Sequence, residues 1–185
     1  MKKLILSLFV VAAFSATSFA QLSLKAGVNL ADQSFESSGF SADTKSKVGF
    51  LIGANYAVNL SESIALRPGI QFTLKGSKVD FGNDEGTLSF NYIEVPVDLV
   101  YKISDFSIHA GPYLGLLMSA KADDEDVKDD VTSTDFGLNF GLGYSIGKIG
   151  VGANYGLGLS NLNNDDTDDT NVKNKVISVY VTYTL

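Results

Sequence analysis

The sequence predicts an all-β protein, an eight-stranded antiparallel up-and-down barrel that crosses a membrane. Three observations carry that prediction. From residue 21 onward, apolar residues recur at every second position in eight successive segments, the period of a strand. The connections alternate between short turns and long polar loops, as in bacterial transmembrane barrels. The face opposite the apolar one is rich in glycine and poor in charge, unlike the mixed-charge surface of a soluble barrel.

The chain has 185 residues, 18 glycines, three prolines and no cysteine or tryptophan. That is one domain's length. Without cysteine, disulfides and thiolate metal sites drop out. A formal charge of −7 argues against a nucleic-acid partner, which selects for a basic patch.

The N-terminus reads as a secretory signal peptide over residues 1–20. Met1-Lys2-Lys3 is a positive n-region, and LILSLFVVAAF (4–14) is an apolar run too short to span a bilayer as a helix. Ser18 and Ala20 place small residues at −3 and −1 of a cut before Gln21, the pattern such peptides share. The mature chain, 21–185, then carries 12 basic against 21 acidic residues, a formal −9. No cysteine follows the cut to carry a lipid anchor.

The eight segments follow in order. The first, LSLKAGVNL, sets Leu22, Leu24, Ala26, Val28 and Leu30 on one face and Ser23, Lys25, Gly27 and Asn29 on the other. The second alternates over Val48–Val58 and the third over Ile64–Lys75, where Arg67, Gln71 and Lys75 oppose Leu66, Ile70 and Phe72. The fourth, about 87–103, opposes Glu94, Asp98 and Lys102 to Ile93, Val95, Leu99 and Tyr101. Its first part is out of phase, with Leu88, Phe90 and Tyr92 on the polar side, so a bulge or a rise above the apolar zone is expected there. The fifth starts at Phe106 and faces His109, Gly111, Tyr113 and Ser119 away from its apolar set. The sixth and seventh contain GLNFGLGYSIGKIGVGANYGLG, with glycine at nearly every second residue, and the eighth is Val176–Leu185.

Strands of about 9–15 residues result, joined by tight turns at 59–62, 104–105 and 147–148. Long loops are expected at about 31–47, 76–86, 120–134 and 161–175. An even strand number puts both termini at the short-turn rim, which is periplasmic in an outer-membrane barrel. Turned toward lipid, the apolar faces need no packing partners. Their aromatics also sort by height. Tyr56, Tyr101, Phe106, Tyr144 and Tyr183 fall near one rim, and Phe50, Phe72 and Phe136 nearer the other, as two interfacial girdles. Tyr155, mid-strand, does not fit. Closure between the last strand and the first leaves no edge in the hydrocarbon.

The segments LKAGVN, LRPGIQFTLKG, NYIEVPVDLVYK, AGPYLGLLMSAK and STDFGLNFGLGY together resemble the PorT-like outer-membrane β-barrel family, over essentially the whole mature chain. The resemblance implies an eight-stranded barrel in the outer membrane, in contact with its lipid. It implies a role in type IX-like secretion only through the family's name-giving member. It implies no settled activity, cofactor or protein partner. The outward Tyr183-x-Leu185 at the end resembles the signal that outer-membrane assembly machinery reads, with Leu185 where Phe is usual.

Inside an eight-stranded barrel there is room for side chains and little else. The inward set includes Lys25, Arg67, Glu94, Asp98, Lys102 and His109. Buried charges demand pairing, so an internal ionic network is expected, with Arg67, the chain's one arginine, pairing with Glu94 and with Asp98 near His109. A structural plug is the first reading; a proton or ion path is the other. Serine chemistry would need His109, the single histidine, as base, with Ser107, Asp98 and Tyr113 nearby. No catalytic site is expected from this set.

Loop 120–134 holds six acids, among them Asp123, Asp124 and Asp126. Loop 161–175 holds four, among them Asp165, Asp166 and Asp168. Clustered carboxylates suit calcium, but neither loop has the glycine and terminal glutamate of the calcium-loop template. Solvated, mutually repelling loops are the simpler reading. The glycine pairs 141/143, 150/152 and 156/158 reach Ile146, Tyr155 and Asn161 at the sixth position, so none completes a dinucleotide motif. No cofactor or metal site is expected.

Overall fold

The computed structural model describes residues 20–36, 44–80, 85–123, 125–163 and 171–185. Its strands are β1 (Ala20–Glu36), β2 (Thr44–Asn59), β3 (Ile64–Asp80), β4 (Glu85–Ile103), β5 (Phe106–Ala122), the two-residue β6 (Glu125–Asp126), β7 (Thr134–Ile146), β8 (Ile149–Gly158) and β9 (Asn171–Thr184). The eight long strands pair antiparallel with their sequence neighbours, β7 following β5. Fourteen residue pairs between β1 and β9, from Ser23↔Thr184 to Glu36↔Asn171, close the cylinder. β6 pairs only with the end of β5, at the loop rim. The expected barrel topology and its closing seam are both present.

Alternation sorts the faces as predicted. Val28, Ile52, Ile70, Leu99, Leu142 and Val179 are exposed on the outer wall, while Asn29, Thr73, Ser77, Glu94, Asp135 and Asn174 are buried inside. Phe106 stands beside Tyr144 in register, within the aromatic belt near the turn rim. Nearer the other rim the Phe50 and Phe72 rings lie 5.8 Å apart. The tight turns use left-handed backbone at Ser104 (φ 57°) and Gly147 (φ 59°), which suits two-residue hairpins.

Two features depart from the sequence reading. First, the strands are longer. β1 runs to Glu36 and β5 to Ala122, well into segments expected to be loops. Hydropathy alternates only where one face meets lipid, but hydrogen-bonded ladders need backbone groups alone. Pairing therefore outlasts the apolar pattern. Second, the phase of β5 changes near its end. Tyr92 faces Leu117 while Asn91 faces Ser119, so Met118 is an extra residue on β5. The bulge turns Ala120 inward, fully buried, where simple alternation puts Ser119. Phe90 and Tyr92 are inward too, and with Leu117 and Ala120 they form a small apolar cluster at the loop end of the lumen. The out-of-phase part of the fourth segment is thus the wall of this cluster.

The signal-peptide reading concerns residues 1–19, outside the described residues, and Ala20, where β1 begins.

Candidate functional site

The lumen is the part of the molecule where charged groups converge. Each inward side chain is set by strand parity and each pairing by register. Lys75 of β3 holds the centre. Its Nζ contacts Glu94 Oε1 of β4 and lies 2.9 Å from Asp135 Oδ2 of β7. All three residues are at most 4 % exposed. The Tyr113 hydroxyl (3.2 Å) and Asn174 Nδ2 (2.9 Å) donate to the same Asp135 oxygen. The Lys75 ammonium also lies 4.5 Å from the Tyr113 ring centroid and 5.2 Å from that of Tyr92. The other Glu94 oxygen accepts from Gln71 Nε2 at 2.7 Å, and Gln71 Oε1 accepts from Lys25 Nζ at 3.1 Å. Lys25 rests over the Tyr180 ring, 4.2 Å from its centroid.

Neutral groups extend the network. Asn29 donates to Thr73 Oγ1 at 2.7 Å and accepts from Ser178 Oγ at 2.8 Å. Ser77 donates to Gln33 Oε1 at 2.8 Å. Side chains of β1, β3, β4, β5, β7 and β9 are thereby joined across the lumen. Buried ions are tolerable only when paired with opposite charges in this way.

Arg67 does not pair with Glu94, as the sequence reading had it. Its Nη2 meets Asp98 Oδ2 at 3.0 Å. The ladder explains the change: Arg67 is directly opposite Asp98, whereas Glu94 is opposite Gln71. Asp98 lies two inward positions further along β4 than Glu94, because pairing continues past Lys75 up to Asp80↔Glu85. Lys102 donates instead to Asn59 Oδ1 at 2.6 Å, near the turn rim. His109 stands opposite Val100 on β4 and Gly141 on β7. Asp98 bonds Arg67, and the buried His109 Nδ1 has no hydrogen-bond partner among the described residues. The Ser107 hydroxyl goes to the Gly143 carbonyl at 3.5 Å, so no serine–histidine pair forms.

The sequence reading put Lys75 inward and singled out neither it nor Asp135 as a site residue. The signal for Asp135 was present: it precedes Gly137, Asn139 and Gly141 on one parity and is the acid of that face. Nothing local marks it as Lys75's partner, 60 residues away.

The glycines of β7 and β8 are seats for rings. A Cβ on Gly137 would sit 2.5 Å from Tyr113 Cε1, and one on Gly152 would sit 2.5 Å from Tyr180 Cζ. On Gly141 it would collide with His109 Nε2. Where the rings meet the network, an internal space of about 20 Å³ lies among Gln71, Lys75, Glu94, Tyr113 and Asn154, room for about one water. Below it an open vestibule of about 420 Å³ at the turn rim is lined by Arg67, Lys102 and the hydroxyls of Ser23, Ser107 and Thr182.

Of the acidic-loop residues, Asp123 and Asp126 are described. Asp123 Oδ1 accepts from the Thr87 amide at 2.8 Å, and Asp126 Oδ1 from the Lys128 amide at 3.0 Å. These carboxylates pin the loop to itself and to β4. Among the described residues no group of three His, Asp or Glu side chains is placed to hold a metal ion. Asp124, Asp165, Asp166 and Asp168 lie outside the described residues.

A closed eight-stranded antiparallel barrel with an apolar outer wall and a polar, ion-paired lumen defines a small transmembrane barrel. The family model for the outer membrane protein beta-barrel domain matches residues 13–164, and the chain belongs to that family. Its fold is similar to that of Neisserial surface protein A (NspA), at 19 % identity and TM-score 0.62, over 89 % of this chain and 97 % of that one. It is also similar to Ail, the attachment invasion locus protein of Yersinia pestis, solved with the heparin analogue sucrose octasulfate. There the identity is 17 % and the TM-score 0.51, over 90 % and 99 % of the two chains. No curated protein matches the sequence.

Proposed function

We propose that this outer-membrane barrel is non-enzymatic and works through its surfaces, with a structural or surface-interaction role, its termini in the periplasm and its long loops outside the cell. The observation that carries this reading is the cross-braced lumen. Lys75, Glu94 and Asp135 meet at its centre, and the space beside them is about 20 Å³. A solute path is blocked there, so the interior serves as a brace and function falls to the rims. Outer-membrane lipid and the assembly machinery are its expected partners. The heparin analogue held by Ail does not carry over, because loops 120–134 and 161–175 hold ten acids that repel a sulfated polyanion. Cationic groups, or divalent ions bridging to lipopolysaccharide, suit these loops better.

Reconstitution into liposomes tests the reading. Swelling assays with small sugars should give rates equal to protein-free vesicles; sugar-dependent swelling would overturn it. The resemblance to PorT-like barrels supports a second reading, an accessory component of a type IX-like secretion complex. Affinity purification of the native protein separates the two, since secretion subunits that co-purify stoichiometrically favour the second and a lone barrel the first.

A further inference from the structure

The loop rim holds a second cavity, distinct from the polar lumen. It measures about 270 Å³ and is walled by Leu88, Phe90, Val127, Val131, Leu162 and Val172, with Gln33 and Asn163 at its edge. Several local devices build it. The bulge at Met118 brings Ala120 and Ala122 to the inner side, small residues where the wall recedes. The segment after β5 folds back over the mouth. Val127 N donates to Ala120 O, Thr132 N to Leu162 O, and Val131 bridges to Asn163. Leu162 N in turn donates to Val172 O at the start of β9. This backbone hydrogen bonding fixes apolar side chains of an otherwise acidic loop against the Phe90–Tyr92–Leu117 cluster. Below, Gln33 belongs to the polar brace through Ser77, so the cavity has a floor.

We propose that this cavity is a binding site for a small, uncharged apolar molecule reaching the barrel mouth from outside the cell. Its orientation rests on the reading above; its ligand chemistry rests on the walls alone. The pocket is open on one side and offers water few polar partners; even a closed apolar cavity of about 150 Å³ accepts benzene. A chain or ring compound of up to about ten carbons therefore fits a space nearly twice that size. The walls are inward-facing residues, so membrane acyl chains lie on the other side of the strands. The bound species is a free molecule rather than a bilayer lipid.

Methyl NMR of the full mature barrel in phospholipid nanodiscs, titrated with 1-decanol, tests this. Saturable shifts are expected at the Val131, Leu162 and Val172 methyls. They should fall at least fivefold in Val127→Trp and in Ala122→Phe, which fill the space by different routes, and persist in Val95→Trp on the outer wall. Gel mobility before and after heating confirms that each variant is folded. The absence of saturable shifts, or equal shifts in the filled variants, overturns the site. Contacts between those methyls and nanodisc lipid before any decanol is added overturn the free-ligand source. Both rims are accessible in a nanodisc, so the result does not depend on which faces out.

Discussion

The phenol ring of Tyr113 packs onto Gly137 of the neighbouring strand so closely that a methyl group at 137 would sit 2.5–2.6 Å from ring carbons Cε1 and Cζ. That ring also donates its hydroxyl to Asp135, so the glycine positions part of the central brace. Gly137→Ala should destabilise the folded barrel by about 1–3 kcal/mol, the usual cost of overpacking. Urea unfolding in vesicles measures it. Gly147→Ala makes a poor control because of its positive φ, whereas Ala153→Gly on the outer wall should cost under about 1 kcal/mol. A Gly137→Ala barrel as stable as wild type would mean that the Tyr113 ring and the Leu157 carbonyl, which a Cβ at 137 also meets, both give way at no cost.

Lys75 and Arg67 should differ sharply. The Lys75 side chain is 4 % exposed and serves two carboxylates. Arg67 is 20 % exposed at the vestibule and serves one. Removing one partner of a buried pair costs about 3–5 kcal/mol, the range expected for Lys75→Ala. Arg67→Ala should cost less, since water reaches its partner's surroundings. The reverse order in equilibrium unfolding would contradict the centre assigned to Lys75.

A double-mutant cycle discriminates the pairing directly. Arg67→Ala with Asp98→Ala should show a coupling of about 0.5–3 kcal/mol, as contacting residues do. Arg67→Ala with Glu94→Ala should come closer to additivity. Stronger coupling to Glu94 than to Asp98 would restore the pairing expected from sequence.

Amino-terminal sequencing of protein purified from outer-membrane fractions should begin at Gln21, or at Leu22 once a pyroglutamate formed from Gln21 has been cleaved off enzymatically. The same sample should migrate faster unheated than heated on a denaturing gel. A product retaining Met1, or mobility unaffected by heat, would count against the export signal or the barrel respectively.

The outer wall was readable from residue order because lipid imposes a strict period of two on whatever faces it. Leu22 through Leu30, and Ile177 through Leu185, needed no partner information to be placed. The interior was readable only in kind. That Lys25, Arg67, Glu94 and Asp98 point inward follows from parity, but which of them meet depends on register. Register depends on how long the hairpin above them keeps pairing. Above Lys75↔Phe90 the ladder continues to Asp80↔Glu85, through a stretch of sequence with no apolar alternation. Asp135 escaped notice because its partners come from three other strands. The bulge at Met118 was invisible for a related reason: Ser119 and Ala120 are both small enough for either face.

The bond pattern at the seam has a consequence for how the cylinder is completed. Asn174 of β9 reaches Asp135 of β7 while standing opposite Gln33 of β1, and Ser178 reaches Asn29 across the same join. A two-residue slip of β9 along β1 would keep every apolar side chain facing lipid and nearly every backbone bond intact. It would also carry Asn174 away from Gln33 and Ser178 away from Asn29. The oily exterior is blind to that error and the polar interior is not. The polar interior thus distinguishes the native closure from slips that the membrane alone would accept.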